Sequence, residues 1–234
     1  MTTATEPAPG LVSRYVWLWV FAVAMGWFEA AVVIYLRELY YPDGFRFPIV
    51  LASQRVAAVE IAREAASLLM IAAVARLAGR RFTERFAAFM VVFGAWDLLY
   101  YAFLWVILGW PASLAEWDVL FLIPLPWVAP VWAPIAVALA LVGAGSRILL
   151  SREGPRALRA LDWAIEIGAG LLIVASFLEQ WHVVLGQSLP GAFASWLFWP
   201  GLLLGAGWFV ATEARSRRAG QRVPPAPRAG AGRL

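Results

Sequence analysis

The chain has 234 residues, 62% hydrophobic and only 15% charged, with a mean hydropathy of +0.73. Soluble domains carry about 25% charged residues, so this one lacks the polar surface to cover a water-facing globule. Its formal net charge is +4, every one of its 19 basic residues is Arg, and it has no Cys, which excludes disulfides, thiolate metal sites, iron–sulfur clusters and a cysteine nucleophile.

The richness in Arg, Ala, Gly and Pro reads as the codon usage of a GC-rich bacterial genome. A pI near 10.0 would suit nucleic-acid binding. Here, however, the positive charge lies in connections and in the tail, where membrane topology already accounts for it, and no nucleic-acid, nucleotide or dinucleotide motif is present.

Six apolar segments are predicted, at about 15–36, 56–77, 86–108, 119–142, 163–183 and 192–211. Each falls within the roughly 17–25 residues a spanning helix needs. The fold expected is an all-α, polytopic six-helix bundle at 14–212, preceded by a short cytoplasmic segment at 1–13 and followed by a basic, Pro/Gly/Arg-rich disordered tail at 213–234. The first span reads as no cleavable signal: no basic n-region precedes it, it is too long and it carries Glu29. Arg76, Arg80, Arg81 and Arg85 flank the second connection, Arg147, Arg152, Arg156 and Arg159 the fourth, and Arg215, Arg217, Arg218, Arg222, Arg228 and Arg233 the tail. The third and fifth connections carry no basic residue. The positive-inside rule then places both termini in the cytoplasm of a cell with this chain in its inner membrane. One connection dissents, since Arg37, Arg46 and Arg55 would lie outside.

The feature that points to function is a set of acids inside the spans. A charge at the bilayer centre costs roughly 2.5–3.5 kcal/mol on insertion scales, so Glu29, Glu60, Glu64 and Asp97 should face a protein interior or a wet cavity. At 1.5 Å per residue, Glu29 lies roughly 11 Å, Glu60 and Glu64 roughly 6 and 12 Å, and Asp97 roughly 17 Å below the outer ends of their spans. All four thus fall in the outer half of the membrane. Glu60, Arg63, Glu64 and Ser67 share one helical face, as do Asp97, Tyr100 and Tyr101, and Glu29 and Arg37 lie a little over two turns apart. Ser176, Glu179 and the only histidine, His182, line up on the fifth span.

The fourth span holds Pro124, Pro126, Pro130 and Pro134, each removing a backbone donor. A proline-broken span is expected, with an extended stretch entering beside Trp117 and Asp118 and regular helix beginning near Pro130 or Pro134. Glycines at 168, 170, 201, 205 and 207 suit close helix contact.

Three function classes fit these residues. In the first, Glu29, Glu60, Glu64 and Asp97, with Asp118 and His182 within reach, bind a divalent metal through hard oxygen donors and serve catalysis, while Arg37, Arg63, Tyr100 and Tyr101 position substrate. A single His argues against haem. In the second, the acids carry protons in a small ion-coupled transporter. In the third, Arg37 and Arg63 merely pair with the acids of a non-catalytic subunit or assembly factor. The bilayer is the obligatory partner, and a homodimer or other membrane subunits are the further ones expected. Acids outnumber the deep arginines, so full pairing must leave at least one carboxylate protonated, hydrated or bound to a cation.

Overall fold

The computed structural model describes residues 9–50, 53–151 and 159–221. The segment 1–8, Arg152, Arg156 and the tail from Arg222 onward lie outside the described residues, as do the side chains of Arg217 and Arg218. Among the described residues seven helices and one hairpin follow in chain order: α1 (Pro9–Tyr40), α2 (Gln54–Ala78), α3 (Phe82–Leu108), β1 (Trp117–Phe121), β2 (Trp127–Pro130), α4 (Trp132–Leu149), α5 (Ala160–Leu178), α6 (Trp181–Leu185) and α7 (Ser195–Gln221).

Five of the helical segments, Val12–Tyr40, Phe82–Leu108, Trp132–Leu149, Ala160–Leu185 and Ser195–Ser216, are long and apolar enough to cross a bilayer, the character of a multi-pass membrane protein. Their exteriors are largely apolar, with Trp17, Val106, Leu171 and Leu203 all more than half exposed. α2 is long enough at 25 residues, but Arg55, Glu60, Arg63, Glu64 and Arg76 make it too charged to qualify by composition.

The chain is not purely helical. Where the sequence suggests a span from 119, residues 117–130 form an antiparallel hairpin with Trp117 opposite Pro130, Asp118 opposite Ala129 and Val119 opposite Val128. The ladder is prolonged by Val131 N–H to Glu116 C=O at 2.8 Å and Trp132 N–H to Leu114 C=O at 2.9 Å. Prolines sit where a donor is dispensable: Pro124 and Pro126 lie in the connection, and Pro130 at the strand end. The aromatic and β-branched residues between them favour extended backbone. Regular helix starts at Trp132.

α7 also departs from expectation. The composition suggests an unstructured tail from 213, yet the helix runs through Glu213 to Gln221. Glu213 accepts an ion pair from Arg147 of α4 at 3.0 Å, and the Arg215 guanidinium lies 4.9 Å from the Trp208 ring, so the polar turn of the helix has partners.

α3 is the hub, packed against α1, α2 and α4, whereas α5 pairs chiefly with α7. Buried Ala87, Ala88, Val91, Val92 and Ala95 give α3 a small-residue surface to its neighbours. Contact with α4 is intimate: a Cβ added at Gly94 would lie 2.6 Å from the Ala138 carbonyl oxygen, and one at Gly145 would lie 2.7 Å from that of Ala87. Gly201 does the same for α5 and α7, 2.9 Å from Ala169 O. The two helix groups meet through the hairpin, where Ala129, Ala133, Phe177 and Phe198 form a second core.

Candidate functional site

The polar residues of α1 and α2 are tied into one cluster by Arg63. Its guanidinium bonds both Glu29 of α1 and Glu60 one turn away on its own helix, and its Nε donates to Glu60 Oε1 at 2.8 Å. Ser67 Oγ lies 3.5 Å from Glu29 Oε2. The helical stripe on α2 explains the geometry, because residues three and four apart stand on the same face. Glu64, only 6% exposed, turns elsewhere and accepts the backbone N–H of Leu122, just beyond β1, at 2.9 Å. Thus α2 holds α1 with one acid–base set and the hairpin with another acid.

A second cluster forms around Asp118, the second residue of β1. Arg37 at the end of α1 reaches Asp118 Oδ1 at 3.3 Å, and the Tyr101 hydroxyl of α3 donates to Oδ2 at 3.1 Å. Burial pushes the Asp118 carboxyl above its ordinary value, while Arg37 and the Tyr101 hydroxyl pull it down. The Arg37 guanidinium carbon lies 3.6 Å from the Trp110 ring centre and 4.3 Å from that of Phe45, so it is sandwiched by aromatic faces. Its Nη1 is buried without a hydrogen-bond partner among the described residues. Tyr100 packs edge-on to Tyr101 with ring centres 4.9 Å apart and makes no hydrogen bond among the described residues. Nothing in the spacing of Trp110 or Phe45 announces the sandwich, since both lie outside the predicted spans.

The metal reading is not supported. Among the described residues no three of His, Asp and Glu are grouped to hold one ion. The reason is chemical: Glu29 and Glu60 are taken by Arg63, Asp118 by Arg37, and Glu64 by a backbone N–H. The fifth-span stripe also dissolves. α5 ends at Leu178, so Glu179 and His182 leave its periodicity; Glu179 accepts a bond from the adjacent Gln180, and His182 is exposed on α6.

Asp97 is the exception among the expected acids. It has no hydrogen-bond or ion-pair partner among the described residues, yet lies within electrostatic range of both Glu29 and Asp118. It lines a cavity of about 1550 Å³ that runs between α3–α4 and α5–α7 and is also lined by Phe121 and Trp127 of the hairpin. Glu166 of α5 lines the same cavity and likewise has no hydrogen-bond or ion-pair partner among the described residues. An acid inside an apolar stretch marks Glu166 in the sequence as clearly as it marks the others. Glu166 stands near the start of α5, however, and belongs to neither of the two acid clusters.

No protein-family model, curated protein or solved structure matches the chain, so the chemistry of the site rests on its own residues. Fold and site together define a multi-pass membrane protein with paired interior charges and a large interhelical cavity.

Proposed function

We propose that the chain is a six-span inner-membrane carrier, both termini cytoplasmic, in which Asp97 takes up and releases a coupling proton or cation. The observation that carries this reading concerns the four acids Glu29, Glu60, Glu64 and Asp97. Of these, Asp97 alone lacks a hydrogen-bond or ion-pair partner among the described residues. An interior carboxylate with no cation to hold it ionised exchanges its charge readily with a proton or ligand. Glu29 from α1 and Asp118 from β1 lie within electrostatic range, and each is itself held by an arginine, so Asp97 is the acid of this group left to take up positive charge.

α2 is the sixth span in this reading. Its 25 residues extend about 37 Å at 1.5 Å per residue, and it turns Leu69 and Leu77, 70% and 86% exposed, outward as a lipid-facing helix would. Its mid-helix charges, Glu60, Arg63 and Glu64, are met from within by Glu29, by each other and by the hairpin, while Arg55 and Arg76 are exposed near its two ends.

The test is a pH jump applied to reconstituted protein on a solid-supported membrane. A transient charge displacement is expected from the wild type and none from Asp97→Asn. A wild type that displaces no charge overturns the carrier reading.

A further inference from the structure

The cavity between α3–α4 and α5–α7 has a composition that selects an occupant. Its walls are apolar and aromatic over most of their length, including Phe86, Met90 and Phe93 on α3 and Ile173 and Phe177 on α5. Four carboxylates line it, Asp97, Asp162, Glu166 and Glu213, and no basic residue does among the described residues. Two of these acids are already engaged. Asp162 accepts the Arg159 N–H at 2.9 Å and the Trp208 indole N–H at 3.1 Å, and Glu213 pairs with Arg147. Asp97 and Glu166 have no hydrogen-bond or ion-pair partner among the described residues.

The two unengaged acids stand at different depths. Phe82 and Phe86 pack against Trp163, with ring centres 5.5 and 5.4 Å away, so α3 and α5 start at the same level. From that level, at 1.5 Å per residue, Glu166 lies roughly 9 Å up α5 and Asp97 roughly 22 Å up α3. Between them the wall offers ring faces, which attract a cation, and no competing positive charge. A Cβ on Gly205 of α7 would sit 3.4 Å from Glu166 Oε2, so α7 leaves that carboxylate room on its cavity side.

We infer that this cavity binds a lipophilic organic cation, an apolar or aromatic body bearing a delocalised or quaternary positive charge, with Glu166 and Asp97 as successive charge partners. An inert gap filled by lipid tails would not place two unpartnered carboxylates in an apolar wall, where each costs free energy unless a cation meets it. An anionic lipid is disfavoured by all four acids. The inference rests on the carrier reading for its coupling role but not for binding itself.

The test is equilibrium binding of tetraphenylphosphonium to the full chain in nanodiscs, with empty nanodiscs as background. Saturable binding is expected, weakened about tenfold in Glu166→Gln and in Asp97→Asn, the loss of roughly one charge-assisted contact. Neither variant breaks a bond among the described residues, so the fold should survive, and an unchanged circular dichroism spectrum checks this. Tetraphenylborate, equal in size and opposite in charge, should not bind. Equal affinity for both ions, or affinity for the phosphonium unchanged in Glu166→Gln, overturns the inference. Charge displacement on a pH jump without phosphonium binding rejects the cation site and spares the carrier reading. Phosphonium binding that depends on both acids, without charge displacement, upholds the site and rejects the carrier.

Discussion

Arg63 holds two carboxylates from different helices, and its removal would leave both with no cation to answer them. Its side chain is only 15% exposed and that of Glu29 10%, so solvent screens the pair little. Truncating one partner of a buried ion pair typically costs about 3–5 kcal/mol. Arg63→Met should therefore lose stability on that scale in detergent denaturation, and Glu29→Gln added to it should restore part of the loss. A double variant no more stable than Arg63→Met would show that Glu29 does not depend on Arg63. Tyr101→Phe removes a single donor from buried Asp118 and should cost about 1.5–3 kcal/mol in the same assay, as a hydrogen bond to a charged group does. At this scale much is legible in the sequence. Helical spacing alone puts Glu60, Arg63, Glu64 and Ser67 on one face, and the excess of acids over arginines requires a surplus carboxylate. Which acid is the surplus is not legible, because pairing across helices depends on the rotation of each helix about its axis.

Between elements, the α3–α4 contact depends on two glycines facing backbone across a gap too small for a methyl group. A Cβ at Gly94 would meet the Ala138 carbonyl at 2.6 Å, and backbone cannot yield as a flexible side chain can. Gly94→Val should overpack the contact at about 1–3 kcal/mol or more, seen as a lowered melting temperature. Gly168→Ala and Gly170→Ala should be near neutral in the same measurement, since nothing lies within 4 Å of either added Cβ. A neutral Gly94→Val would mean the helices stand farther apart. Sequence alone does not separate these glycines: it singles out 168, 170, 201, 205 and 207, of which Gly201 alone is pressed to under 3 Å against backbone. Small residues recur along every helix, and only the crossing point decides which of them is pressed. The hairpin is similar. Four prolines indicate irregular backbone, but the pairing of Trp117–Phe121 with Trp127–Pro130 also needs α5 and α7 beside it to bury Ala129 and Phe177.

For the whole molecule, the dissenting connection after α1 loses much of its weight. Arg37 is 7% exposed and bound to Asp118, so it is part of the interior, and of the basic residues there only Arg46 and Arg55 remain exposed among the described residues. Absence of native cysteine makes the topology directly measurable. Asp43→Cys and Ser113→Cys should react with a membrane-impermeant maleimide in intact cells, and Arg80→Cys should react only after lysis. Labelling of Asp43→Cys and Arg80→Cys from the same side would show that α2 does not span and would reduce the count to five.

The apolar character and membrane length of the long helices follow from composition and window hydropathy alone, because the hydrophobic requirement of a bilayer is a local property of the chain. The set of costly acids is likewise local. Partnership is not: whether a carboxylate meets Arg63, Arg37, a backbone N–H or an open cavity depends on how the helices rotate and where the hairpin inserts between them. Only tertiary structure could decide that Glu29 and Asp118 are held by arginine while Asp97 and Glu166 have no hydrogen-bond or ion-pair partner among the described residues, because a charge's partners are set by distances across elements far apart in sequence.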